Sequence, residues 1–206
     1  MATELDPDRV RANLAAIREE VGDGVEILAA TKYLPLDQVG VLAEAGVTLA
    51  GENRAQDLEA KAGAHPELTW DFIGQLQSRK VKQVLPHVRY IHSVASDSAL
   101  KELGRHGTPE TRVLVQVNVA EEEGKAGILP GELPAFLERA PVAVVGLMTM
   151  PPFAEDPEES RRWFAALRDL AAEHGLRELS MGTTQDYAVA AQEGATIVRI
   201  GSRLYA

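Results

Sequence analysis

The sequence predicts an α/β protein that forms a single-domain (β/α)8 TIM-type barrel over residues 1–206, with an extra helix at the N-terminus. Short apolar segments of strand length alternate with amphipathic segments of helix length, which is typical of βαβ units in a parallel sheet. About eight such units fit a closed barrel better than an open sheet. No glycine-rich dinucleotide fingerprint follows the first apolar segment, and this counts against a Rossmann fold.

The strand predictions rest on short apolar runs bounded by glycine, proline or polar residues. The predicted strands cover residues 26–32, 48–53, 69–74, 90–95, 112–118, 142–150, 178–182 and 196–202.

The first predicted helix, residues 8–21, precedes the first strand and is therefore the extra one. It places Val10, Leu14, Ile17 and Val21 at helical spacing, and the glycines that follow end it. The other predicted helices run between Pro35 and Gly46 and over residues 55–61, 76–85, 96–106, 132–139, 157–174 and 187–192.

Composition and charge exclude several classes of function. The net charge of −10 repels phosphate backbones and anionic lipid, so we expect no nucleic acid or membrane partner. The absence of cysteine excludes disulfides and thiolate chemistry, and the five histidines show no metal-ligand spacing. The N-terminus lacks the apolar core of a signal peptide, and we expect a cytoplasmic protein.

Lys32 is the candidate functional residue, because it alone among the lysines directly follows a buried-strand pattern. The other five lie among charged, polar or glycine neighbours and are expected at the surface; they are Lys61, Lys80, Lys82, Lys101 and Lys125. A lysine at the rim of an apolar interior loses hydration, which frees its amine for Schiff-base chemistry with a carbonyl. The alternative is a lysine that reaches water from a strand end.

The last two βα units predict an anion site. Residues 180–184 and 198–202 place glycines and hydroxyl groups at strand ends, with Thr184 expected to cap the next helix. Barrel enzymes often bind phosphate in these loops, although glycine and threonine also simply form turns.

A lysine opposite a phosphate site suits pyridoxal 5′-phosphate (PLP), whose aldehyde the lysine would hold. Arg199 would face the pyridine nitrogen and, because an arginine cannot accept its proton, would weaken the ring as an electron sink. The alternative for Arg199 is a structural ion pair.

Motifs spread along nearly the whole chain carry a family resemblance. They lie at residues 30–32, 51–56, 72–78, 115–118, 146–151, 179–182, 186 and 198–201. Through them the chain resembles the pyridoxal phosphate homeostasis protein family, relatives of the N-terminal barrel of alanine racemase.

The resemblance implies a PLP-binding protein without established turnover that stores, delivers or buffers PLP, as a monomer or weak dimer, for PLP-dependent acceptor enzymes. PLP would form an internal aldimine on Lys32. The other implied cofactor-binding residues are Asn53 beside the ring, His92, Met148 and Ser180 as walls, Arg199 near the ring nitrogen, and Thr184, Gly201 and Ser202 at the phosphate.

The chain departs from the family pattern at three places. Asp71 stands where the family usually has histidine, and Thr183-Thr184 follows Ser-Met-Gly, where the family often has Met-Ser. The sequence ends at Ala206, before the short tail expected after the last strand, which leaves closure of the barrel to be tested.

Two enzymes are alternatives. An amino-acid racemase would use Lys32 as one base but needs a second acid/base on the opposite face, and no tyrosine has an obvious position for it. A cofactor-free Schiff-base aldolase would need carboxylates near the lysine. The basic segment 78–82 reads as a solvated helix face, or as a surface that meets an acceptor enzyme.

Overall fold

Eight parallel strands pair in sequence order and the last pairs with the first, so that the sheet closes into a barrel. This computed structural model describes residues 5–206. The predicted domain covers residues 1–206, so its first four residues lie outside the described part of the chain. The strands are β1 (Glu26–Ala30), β2 (Leu49–Glu52), β3 (Thr69–Phe72), β4 (Tyr90–Val94), β5 (Arg112–Gln116), β6 (Ala143–Met148), β7 (Glu178–Thr183) and β8 (Ile197–Ile200). The predicted barrel is confirmed.

Helices connect the strands on the outside of the barrel. The α-helices are α1 (Pro7–Val21), α2 (Gly40–Glu44), α3 (Ala55–Ala64), α4 (Val81–Val84), α5 (Asp97–His106), α6 (Leu133–Glu138), α7 (Arg161–Glu173), α8 (Tyr187–Gln192) and α9 (Ser202–Tyr205). The extra N-terminal helix is α1. Asp6 caps it by accepting from the Asp8 N–H, and Gly22, at φ +82°, ends it.

The sheet separates the apolar layer between strands and helices from the inside of the barrel. Ile91, Val198 and their outward-facing neighbours pack against helix residues such as Phe164 in one large apolar cluster. The inward-facing positions alternate with these, as the pleat requires. Inside the barrel, a small apolar cluster contains Leu28 and Leu49.

Several predicted boundaries differ from the observed ones, and three of them bear on the site or its surroundings. In the predicted helix 76–85 only Val81–Val84 is α-helical, and 3-10 turns at Ser78–Lys80 and Leu85–His87 flank it. Pro86, which lacks a backbone donor, lies in the second turn and disfavours continuation of α4. β1 ends at Ala30, and β8 ends at Ile200, so Lys32 and Ser202 lie beyond the strands.

Barrel closure does not require residues beyond Ala206. β1 pairs with β8 from Glu26 against Ile197 to Ala29 against Ile200. Tyr205 then donates from its hydroxyl to the Ala30 carbonyl, which ties α9 to β1. Among the described residues, none of the helices combines the length and apolar character needed to cross a membrane.

Candidate cofactor site at the carboxyl end of the barrel

A cavity of about 770 Å³ opens at the carboxyl ends of the strands, a size typical of small-molecule sites. Its charged lining residues are Lys32 and Arg199, and within residues 5–206 no carboxylate lines it. The cavity is therefore cationic although the whole chain carries a net charge of −10. This charge distribution suits an anionic ligand.

Most of the predicted site residues lie together around this cavity. Those that line it are Lys32, Asn53, Met148, Thr184, Arg199, Gly201 and Ser202. His92 and Ser180 do not, because their side chains are fully buried one layer deeper in the barrel interior. Ser180 lies behind Arg199, whose Nη1 donates to its hydroxyl at 2.5 Å. These two residues support the cavity instead of forming its wall.

Lys32 lies at the mouth of the cavity but is not dehydrated. Its side chain is exposed, and its Nζ lies 4.7 Å from the centre of the Tyr33 ring, which is itself 86% exposed. The prediction that Lys32 loses hydration is therefore wrong. The reason is that β1 ends at Ala30, so Lys32 stands beyond the apolar interior.

The buried lysine of this protein is Lys61, which the sequence pattern places at the surface. Lys61 is 6% exposed, and its Nζ donates to the Thr31 carbonyl at 2.7 Å and to Glu52 Oε1 at 2.6 Å. Its position three residues after the buried Leu58 on α3 is a signal that could have revealed it, because such residues share a helix face.

Glu52 connects the residues on either side of the cavity. Its buried carboxylate accepts from the Thr31 hydroxyl at 3.1 Å and from the backbone N–H of Asn53. Thr31 directly precedes Lys32, so one carboxylate, neutralised by Lys61, fixes the backbone beside two cavity residues. We call Thr31, Glu52 and Lys61 the β1–β2 clamp.

Arg199 is a buried cation on the cavity wall. Its Nη2 donates to the Thr149 carbonyl at 2.9 Å, and in the described chain no carboxylate lies within ion-pair distance. Burial lowers the pKa of Arg199 to about 10, against the opposing charge of Asp186. The structural ion pair is therefore not found, and Arg199 remains protonated near neutral pH.

Thr184 joins the last two loops, but it does not cap α8. The N-cap position belongs to Asp186, whose carboxylate accepts from the Thr183 N–H at 2.7 Å. Thr184 Oγ1 instead accepts from the Gly201 N–H at 3.1 Å. Its hydroxyl proton remains for a ligand, next to the exposed Ser202. The turn that places Thr184 here depends on Gly182 at φ +87°.

The sequence reasoning missed Tyr205 as a cavity residue. Its ring lines the cavity, and its hydroxyl donates to the Ala30 carbonyl at 3.0 Å. Burial, with the charge of Glu52, raises the pKa of Tyr205. No local pattern marks this residue, because the packing of α9 on α1 and its hydrogen bond to β1 bring it to the site.

A buried polar chain runs from Arg199 into the barrel. The Ser180 hydroxyl lies 2.8 Å from His92 Nδ1, and His92 Nε2 lies 3.0 Å from Asp71 Oδ2. Burial raises the pKa of Asp71, but His92 and Arg89 outweigh it, and the net direction is downward. Burial lowers the pKa of His92 despite Asp71. Near neutral pH the pair is therefore a carboxylate and a neutral imidazole.

Comparison with known proteins identifies the family of this chain. The model of the alanine racemase N-terminal domain matches residues 5–206. Pyridoxal phosphate homeostasis proteins of Aquifex aeolicus and Deinococcus radiodurans are each 37% identical to this chain over 96% of its length, and the matches cover 94% and 99% of those proteins. The chain belongs to the pyridoxal phosphate homeostasis protein family. The family resemblance predicted from the motifs is confirmed.

Solved structures extend the comparison. PipY of Synechococcus elongatus PCC7942 with PLP bound, 31% identical, superposes with a TM-score of 0.84 over 96% of this chain and 100% of that one. Alanine racemase from Corynebacterium glutamicum, 16% identical, has a TM-score of 0.78 over 98% of this chain and 62% of that one. The second likeness shows the barrel fold that this homeostasis family shares with larger proteins.

Removing the cation of the β1–β2 clamp is expected to destabilise the protein strongly. Lys61→Met leaves the Glu52 carboxylate buried without its partner, which costs about 3–5 kcal/mol in the free energy of unfolding. Urea denaturation measures this loss. Lys82→Met, at an exposed helix position, is the control, and Lys61→Met with Glu52→Gln is expected to recover part of the stability. A loss below about 1 kcal/mol in Lys61→Met would contradict the role of the clamp.

Acid is expected to destabilise the fold through His92 first and Asp71 second. The pKa of His92 is lower in the folded than in the unfolded chain, where it is near 6.5, so the unfolded chain binds the proton first. The free energy of unfolding therefore falls as the pH drops below about 6.5, by up to about 1.4 kcal/mol per pH unit for this group. The depressed pKa of Asp71 adds a further loss below pH 3.8.

Denaturant titrations across this pH range check the prediction. His92→Asn is expected to remove the decline that begins near pH 6.5, whereas the exposed His106→Asn keeps it. An unchanged slope in His92→Asn would show that another group causes the acid sensitivity.

Proposed function

We propose that this protein binds PLP in the cavity at the carboxyl end of its barrel and serves intracellular PLP homeostasis by storing, delivering or buffering the cofactor. The observation that carries the proposal is Arg199, a buried cation without a carboxylate in the described chain, which shares a cavity with Lys32. Relatives named pyridoxal phosphate homeostasis proteins and the PipY structure with PLP bound support the same cofactor.

The residues present fit the phosphate and the ring nitrogen of PLP. Thr184 and Ser202 offer hydroxyl groups to the phosphate, and the Gly201 N–H orients the Thr184 hydroxyl by donating to its oxygen. Arg199 supplies a donor for the pyridine nitrogen. Asn53 Oδ1 is buried without a hydrogen-bond partner, which a bound ligand in this cavity would relieve.

Lys32 Nζ is the group we assign to the aldehyde. Its amine would hold the cofactor covalently through the aldehyde, with loss of water. When bound, PLP supplies an electron-accepting ring. Arg199 would limit that capacity, because an arginine cannot accept the proton of the ring nitrogen and would leave it unprotonated.

The residues around the cavity disfavour a racemase. Racemisation requires an acid/base on the face opposite Lys32. Tyr205 has its hydroxyl committed to the Ala30 carbonyl, and Tyr33 packs against the Lys32 ammonium itself. The cofactor-free aldolase fares no better, because it needs a carboxylate that the described cavity lining lacks.

Loss of the Lys32 amine is expected to abolish covalent PLP binding. Wild-type protein incubated with PLP should show a visible absorption band, and borohydride should convert it into a stable adduct that peptide mass spectrometry places on Lys32. Lys32→Ala should show neither, whereas Lys82→Ala, a surface control, should behave as wild type. Wild type without a band would refute the proposal and favour the aldolase. Amino-acid racemisation above the rate of free PLP would refute the non-catalytic role.

Delivery of PLP to an acceptor enzyme is expected to involve the basic segment 78–82. Lys82 is exposed there, and Lys80 Nζ donates only to the neutral Gln83 at 3.1 Å. Charge reversal by Lys80→Glu with Lys82→Glu should slow PLP transfer to an apo-enzyme about threefold to tenfold at low salt. Lys101→Glu, on the separate helix α5, is the control. Equal transfer rates would leave this segment as a solvated surface.

Sedimentation velocity tests the expected monomer or weak dimer.

A further inference from the structure

The geometry points to Asp71 as a remote positioning residue: through His92 and Ser180 it fixes the direction in which the Arg199 guanidinium presents its donors to the cavity. We call Asp71, His92, Ser180 and Arg199 the barrel relay. The inference deepens the proposed function and rests on it where it concerns PLP. Its first link, from Asp71 to His92, is independent of any ligand.

Asp71 is held as an anion by its surroundings. Arg89 donates to both carboxylate oxygens, from Nη2 at 2.7 Å and from Nε at 3.2 Å, and the backbone N–H of Tyr90 donates to Oδ1 at 3.0 Å. Arg89 is in turn paired with Glu26, at 2.7 Å. Asp71 Oδ2, which also faces His92 Nε2, is therefore an acceptor.

An anionic Asp71 determines the tautomer of His92. A neutral imidazole has one N–H donor and one acceptor nitrogen. Because the carboxylate only accepts, the proton must lie on Nε2, and Nδ1 is left as an acceptor 2.8 Å from the Ser180 hydroxyl. Ser180 then donates its proton to His92.

The orientation of the Ser180 hydroxyl decides whether its proton or an oxygen lone pair faces Arg199. Arg199 only donates, and its Nη1 lies 2.5 Å from Ser180 Oγ. With the serine proton turned toward His92, an oxygen lone pair faces the guanidinium. The hydrogen bonds therefore run in one direction along the barrel relay, and every member is satisfied.

Asp71→Asn should reverse this order. The amide oxygen takes the Oδ1 position, where Arg89 Nε and the Tyr90 N–H donate. The amide NH2 then takes the Oδ2 position, loses the hydrogen bond from Arg89 Nη2 and donates to His92 Nε2. His92 then carries its proton on Nδ1 and donates to the Ser180 oxygen. The Ser180 proton is turned toward Arg199, which is itself a donor, so two donors face each other. The guanidinium is displaced, although the side chain at position 71 keeps its shape.

The first measurement is the His92 tautomer, by long-range ¹H–¹⁵N NMR near neutral pH on the full chain without PLP. Loss of the signals in His92→Asn assigns them. We expect the Nε2–H form in wild type and the Nδ1–H form in Asp71→Asn. The Arg199 guanidinium signals, assigned by their loss in Arg199→Lys, should shift in both Asp71→Asn and Ser180→Ala. Ser180→Ala cuts the barrel relay while Asp71 keeps all its partners.

The second measurement is PLP affinity from the visible band. Both variants should weaken binding about tenfold, the ratio expected for one lost hydrogen bond to a charged group. The double variant should be no weaker than Ser180→Ala alone, because the two changes act through one path. Ile91→Ala is the matched control, since Ile91 is a buried neighbour of His92 that points to the helices and should lower stability without shifting the Arg199 signals.

Three results would overturn the inference: an Nδ1–H or doubly protonated His92 in wild type, unchanged Arg199 signals in both variants, or additive losses of PLP affinity. Failure of wild type to bind PLP would instead refute the proposed function. In that case the tautomer and the Arg199 signals still decide whether Asp71 positions Arg199.

Discussion

The pairing of β1 with β8 is the constraint on which the rest of the structure depends. It sets Leu28 opposite Arg199 and Ala29 opposite Ile200. The loop that begins with Thr31 and Lys32 therefore opens beside Gly201 and Ser202, although more than three quarters of the chain separates them. Tyr205 reinforces this closure at Ala30 and at the same time lines the cavity. The same strand pairing therefore closes the barrel and brings the cavity residues together.

Carboxylates support the cavity from behind without entering it. Glu52 fixes the backbone next to Lys32 and Asn53, Asp71 orders the side chains beneath Arg199, and Asp186 holds the loop that presents Thr184. Each accepts hydrogen bonds from groups that would otherwise be free to move. The cavity itself keeps its cationic character because these carboxylates accept hydrogen bonds from the protein's own donors and do not line the cavity. An acidic protein therefore presents a positive site to a small anion.

The buried charges also explain why this barrel has a polar interior. Large apolar side chains fill the space between strands and helices, whereas the inside of the barrel contains Asp71, His92, Ser180 and Arg199 together with a small apolar cluster. A buried ionic group left without partners costs far more than an apolar side chain of equal size. Such a set persists only where its members satisfy one another, and here they do so across the barrel interior, from Asp71 to Arg199 on the cavity wall.

The sequence by itself determined the barrel, because alternation of apolar strands with amphipathic helices is a local property that repeats along the chain. It also placed Lys32 and Arg199 at strand ends, and the family motifs pointed to the cofactor. Only the tertiary structure decided that Lys61 is the buried lysine while Lys32 is exposed, that Thr184 bridges to Gly201 instead of capping α8, and that His92 and Ser180 lie behind Arg199. These outcomes depend on which side chains meet across the barrel. A local pattern records the face on which a residue lies, but the partner that satisfies its charge or hydrogen bond comes from a distant part of the chain.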